Sequence, residues 1–143
     1  MVTMMRRIGA VVAGFIAASV VMMIVESING HVLFPDLAKK AQGVTDREQV
    51  RQIIAEAPVV ALLVVIGGWS LGSVIGGVVT GLLAGRGSVR PAITLGILLT
   101  LAGLANNLMI PPPLWFWFAS MPVLGAGVWL GTRLVTPRTP SPD

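Results

Sequence analysis

Residues 58–84 read PVVALLVVIGGWSLGSVIGGVVTGLLA, a stretch without a single charged side chain. Crossing ~30 Å of hydrocarbon takes about 20 apolar residues at ~1.5 Å of rise each, and this stretch exceeds that length. Pro58 suits the first turn of a helix, where its missing N–H leaves no bond unmade. The stretch is therefore predicted to be a membrane-spanning helix. Within it Gly68, Gly72 and Gly76 recur every four residues, with Ser73, Gly77 and Gly81 beside them. Small residues at that spacing let helix backbones approach closely, which matters in lipid because membrane helices associate by packing. Two such stripes can serve two neighbours, both inside one bundle or one of them in a second copy of the chain. Ala10, Gly14 and Ala18 upstream, and Gly127 and Gly131 downstream, offer matching faces. Trp69, near the middle, reads as a packing residue.

Three further runs have the same character, predicting helices at about 8–30, 91–110 and 114–135. The first follows Arg6 and Arg7, as a secretory signal would, but its apolar run outlasts a cleavable h-region. The third stops at Pro111-Pro112-Pro113, which cannot continue a helix. The expectation is an all-α bundle of four membrane-spanning helices in two hairpins, forming a single domain over residues 1–135. Residues 136–143 alternate proline with polar residues and read as a disordered tail.

Composition supports this reading. The chain of 143 residues is 55% hydrophobic and 11% charged, with ten Lys+Arg against six Asp+Glu, and its mean hydropathy is +0.86. A water-soluble domain this small exposes most of its residues and needs more charge than that. The net charge of +4 does not point to nucleic acid, because the basic residues flank apolar runs and form no single patch. Cysteine is absent, which excludes disulfides and thiol chemistry. Arg6, Arg7, Arg86, Arg90, Arg133 and Arg138 all fall on one side of the predicted spans, with no acidic residue there before Asp143. Lys39, Lys40, Arg47 and Arg51 fall on the other side, among four carboxylates. The positive-inside rule then places both termini in the cytoplasm, in an inner membrane.

The long loop between the first two spans has its own pattern. Thr45-Asp46-Arg47-Glu48 reads as a capping box, with Thr45 as the cap and Glu48 as its partner. Val50, Ile53, Ile54 and Ala57 follow at helical spacing, predicting a short amphipathic helix over about 46–57 that lies on the outer surface.

Few residues can carry chemistry. Glu26 is a carboxylate within a span, and such groups are protonated, paired, or turned to a wet cavity. His31 follows five residues later and shares its face only if the helix ends or bulges at Asn29-Gly30. Asn106 and Asn107 are adjacent amides in an apolar run, and both need partners. At ~100° apart they cannot enter one narrow seam, which leaves two readings: plain interhelical glue, or one that packs while the other lines a cavity. Counting rise from the arginine side, Glu26 lies ~27 Å beyond Ile8 and Asn107 ~24 Å beyond Pro91, so both reach the outer leaflet. Trp115 and Trp117 start the last span near that level. Glu26, His31, Asn106, Asn107, Trp115 and Trp117 are therefore the candidate lining of one outward-opening polar pocket, while Gly68, Gly72, Gly76, Gly77 and Gly81 are candidates for helix packing or oligomerisation. No catalytic constellation, metal-ligand set or cofactor motif is discernible.

Glu26…His31…Phe34-Pro35 in the first half, and Ala105-Asn106-Asn107…Pro111-Pro112-Pro113-Leu114-Trp115-Phe116-Trp117 in the second, resemble small four-helix bacterial membrane proteins with no assigned activity. The resemblance implies topology and no mechanism. Two functions compete: a non-enzymatic protein that binds or passes a small molecule, ion or lipid at the polar pocket, as a monomer or homo-oligomer, and an accessory subunit whose polar residues only join helices. A membrane enzyme using Glu26 and His31 as acid and base ranks behind both. The bilayer is the expected partner, and no cofactor is identified.

Overall fold

The structure, a computed structural model, describes residues 2–85 and 89–135. Arg86, counted above for orientation, and the tail at 136–143 with Arg138 lie outside the described residues. The described residues form six α-helices: α1 (Val2–Ile28), α2 (Pro35–Ala41), α3 (Arg47–Ala55), α4 (Val59–Ala84), α5 (Val89–Met109) and α6 (Leu114–Val135). α1, α4, α5 and α6 are long and apolar enough to cross a membrane, and they pack as a bundle with the two short helices between the first and second spans. At ~1.5 Å per residue, the 26, 21 and 22 residues of α4, α5 and α6 each reach across ~30 Å of hydrocarbon.

Helix α4 lies between α1 and α6, and α5 packs mainly on α6, with lighter contact to α1 and α4. The two small-residue stripes explain that central position. Gly68 meets Val25, Gly72 meets Met22 and the Ala18 carbonyl, and Gly76 meets Gly14 and Ala18, so the first stripe seats α1. Gly77 lies against the backbone of Val128, Gly81 against Thr132 and Val135, and Ser73 against Gly127, so the second seats α6. A Cβ on Gly77 would stand 2.9 Å from the Val128 Cα, closer than side chains pack. Both stripes are thus occupied inside one chain.

Hydroxyls fasten the same seams. Thr80 Oγ1 donates to the Ala10 carbonyl at 3.2 Å, and Ser73 Oγ shares its proton between the Ser70 carbonyl of its own helix at 2.9 Å and the Val123 carbonyl at 3.2 Å. Thr132 Oγ1 likewise shares its proton between the Val128 carbonyl of its own helix at 2.9 Å and the Gly77 carbonyl at 3.2 Å. Where backbones approach this closely a short hydroxyl reaches a neighbour's carbonyl, a bond that contributes roughly 0.6 kcal/mol on average in membrane bundles. Leu95 and Leu99 of α5, Leu124 and Val128 of α6, and Trp69 of α4 fill the middle. Ile16, Val20 and Ile24 on α1, and Ile93, Ile97 and Leu101 on α5, recur at helical spacing on the outside, where lipid replaces a partner.

The loop end differs in detail from the sequence expectation. Of the two alternatives at Asn29-Gly30, an end or a bulge, the chain takes the bulge. The chain runs through a π turn over Asn29–Leu33, closed by Phe34 N–H donating to the Asn29 carbonyl at 2.8 Å. Asn29 is buried there, and its Nδ2 donates to the Ala61 carbonyl of α4 at 3.0 Å, fixing the wide turn. Pro35 then opens α2 at its first position, so the proline starts a helix as well as ending one. α3 begins at Arg47, and its cap is Asp46, not Thr45: the Asp46 carboxylate accepts from Gln49 N–H at 2.9 Å. Glu48 pairs with Arg51 at 2.9 Å and takes no part in a capping box. The apolar face is as expected, with Val50, Ile53, Ile54 and Ala57 half-buried and the charged positions exposed.

At the opposite end, Arg6 Nε donates to the Leu83 carbonyl at 2.7 Å. This satisfies one of the carbonyls left open at the α4 C-terminus and sets a cation against the negative end of its dipole.

Candidate functional site

Glu26 lies two residues before the end of α1, where the bundle opens toward α3. The indole of Trp69, on α4, reaches across the seam and donates Nε1–H to Glu26 Oε1 at 2.9 Å. The bond ties α1 to α4. It also solves two problems together, because a buried indole N–H needs an acceptor and a carboxylate among apolar helices needs a donor. Trp69 is only 3% exposed, and its ring meets Phe116 of α6 edge-on, with centroids 5.9 Å apart and planes at 78°. Trp115 continues the aromatic row, edge-on to Phe116 at 5.9 Å. Glu26 itself is exposed to the outside of the bundle. Among the described residues its second carboxylate oxygen has no hydrogen-bond partner.

Two adjoining clefts share Glu26 and Asn106. The first, about 280 Å³, runs down the bundle between α1 and α5 and is lined by Glu26, Trp69 and Asn106 with Phe15, Met22 and Leu99. The second, about 210 Å³, opens toward α3 and is lined by Glu26, Asn106, Asn107, Ile54, Pro112 and Phe116. Carboxylate, indole and amides therefore punctuate walls that are otherwise apolar, the usual build of a small-molecule site.

The two asparagines divide as adjacent helical positions must. Asn106 is exposed and lines both clefts. Asn107 is 1% exposed, and its Nδ2 donates to Ser120 Oγ on α6 across a long 3.5 Å. Its Oδ1 is buried with no partner. An unsatisfied buried acceptor is uncommon and calls for a donor from outside the chain, either water or a ligand.

The remaining candidates fall elsewhere. His31 is exposed on the π turn, and Nδ1–H donates to the Ser27 carbonyl at 3.0 Å. It lines neither cleft, and no hydrogen bond or ion pair joins it to Glu26, because the π turn does not bring the two side chains together. Trp115 reaches the site only through Phe116, and Trp117, half-buried on α6, lines neither cleft. The structure adds Trp69, expected from the sequence to be a packing residue, and Phe116. One signal pointed to Trp69: an indole N–H deep in a span needs an acceptor, and Glu26 is the sole carboxylate within the spans. Among the described residues no cluster of three or more His, Asp or Glu side chains could hold a metal ion.

The chain is thus a small, multi-pass, all-helical membrane protein, with a largely apolar cleft that includes Glu26, Asn106 and Asn107 at the end of the bundle that carries α2 and α3. Comparison with protein-family models, curated proteins and solved structures found no match.

Proposed function

We propose that this protein binds a small hydrophobic organic cation in the paired clefts at Glu26, without catalysing a reaction. The observation that carries the reading is the Glu26–Trp69 hydrogen bond at the shared wall of the two clefts. One carboxylate oxygen is held by the indole, which fixes the group's position, and the other is left to a ligand. Asn107, whose buried Oδ1 has no partner, lines the second of these clefts. A carboxylate held in place within largely apolar walls favours a positively charged ligand with apolar substituents. The aromatic ring of Trp69 and the apolar walls around it suit a cation with apolar substituents, since ring faces attract cations and the walls cover the rest. The Arg6, Arg7, Arg90 and Arg133 end faces the cytoplasm in this reading, so the cleft opens to the outer leaflet of an inner membrane.

Thermal unfolding of the purified protein with tetraphenylphosphonium, and with the equally bulky anion tetraphenylborate, tests the proposal. The phosphonium is expected to raise Tm in the native protein and not in Glu26→Gln. Equal shifts from both ions, or a phosphonium shift that survives Glu26→Gln, would overturn it.

A further inference from the structure

A second groove, at the opposite end of the bundle, faces lipid between α1 and α5. It holds about 550 Å³ and is lined by Arg7 and Arg90 at its mouth and by Ile8, Val12, Thr94 and Leu98 along its length. Arg7 Nε is buried there without a hydrogen-bond partner, and among the described residues neither guanidinium has an ion-pair partner. α1 and α5 both begin at this end with no acidic residue in the first turn, so two positive helix dipole ends add to two positive side chains. All the acidic residues of the described chain lie at Glu26 or beyond it, toward the other end. Below the arginines the groove turns apolar, and Val12 and Leu98 are exposed there.

From this we infer that the α1–α5 groove is a binding site for an anionic phospholipid, with the phosphate between Arg7 and Arg90 and one acyl chain along Ile8, Val12 and Leu98. The charge sequence of the groove matches that of the lipid: cationic at the level of the headgroups, apolar over the next turns. A guanidinium fork binds phosphate oxygens in pairs, and a phosphate would supply the acceptor that Arg7 Nε lacks. Thr94 Oγ1 is already engaged with the Arg90 carbonyl at 3.0 Å, which leaves the headgroup contacts to the two arginines. The site is independent of the Glu26 cleft.

Native mass spectrometry of the full chain, released from micelles containing equal dioleoyl phosphatidylglycerol and dioleoyl phosphatidylcholine, tests this. The phosphatidylglycerol adduct is expected to dominate and to fall roughly fivefold for each of Arg7→Gln and Arg90→Gln. Arg133→Gln removes a charge that already stacks on Trp129, 4.8 Å from the ring centroid, and is expected to leave the adduct unchanged. Val12→Trp fills the apolar part of the groove without touching a charge and is expected to lower adduct formation while Tm in lipid-free detergent holds. Equal retention of the two lipids, an equal fall with Arg133→Gln, or full retention in Val12→Trp would overturn the assignment.

Discussion

The indole N–H of Trp69 on α4 donates to the Glu26 carboxylate on α1 at 2.9 Å, joining the one carboxylate within the described spans to the ring at the centre of the bundle. A double-mutant cycle measures that link. Glu26→Leu and Trp69→Phe each remove one partner, and the cycle is expected to show coupling of about 0.6–1.7 kcal/mol in reversible unfolding in mixed micelles. Additive losses would mean the pair contributes no interaction energy.

The glycine stripes make a prediction by contrast. Gly76→Ala places a methyl 2.7 Å from the Gly14 carbonyl oxygen and 2.9 Å from the Ala18 Cβ, and it is expected to destabilise the fold by roughly 1–3 kcal/mol. Gly67→Ala, on the same helix, meets nothing within 4 Å and is expected to be neutral or to stabilise by up to about 1 kcal/mol. The same unfolding assay reads both.

Asn107 separates a site from a fastening. Asn107→Leu removes the buried, partnerless Oδ1 and a long bond to Ser120, whose hydroxyl can turn to its own helix backbone. Stability without ligand is expected to stay within ~1 kcal/mol, while affinity for tetraphenylphosphonium in an equilibrium titration falls about tenfold. A large loss of stability with unchanged affinity would make the residue a helix fastener.

The cap of α3 is a local test. Asp46→Ala is expected to cost about 1 kcal/mol, seen as roughly fivefold faster amide exchange across Arg47–Ala55. Thr45→Ala should leave exchange unchanged, because Thr45 makes no capping bond to the helix.

Apolar length and proline placement were enough to place the four spans, since bilayer thickness sets a length that sequence shows directly. Two neighbouring acceptable caps, Thr45 and Asp46, could not be told apart by pattern, and the carboxylate, which also favours the helix dipole, is the one used. The sequence leaves an end or a bulge open at Asn29-Gly30, and the choice of the bulge depends on Asn29 reaching Ala61 on another helix. Depth along the spans did bring Glu26, Asn106 and Asn107 to one level, but depth carries no angular information. It grouped His31, Trp115 and Trp117 with them, although none of the three lines either cleft. Trp69 was hidden for the same reason. Periodicity assigns a residue to a face, and only helix pairing decides which face meets Glu26.

The most direct test of the Glu26–Trp69 site is the indole N–H resonance of Trp69, assigned by its disappearance in Trp69→Phe, during titration with tetraphenylphosphonium. A saturable shift confined to Trp69 in the native protein, lost in Glu26→Gln, with the Trp129 resonance still, is the predicted result. A Trp69 resonance that does not move, or one that moves equally with Trp129, would contradict the account.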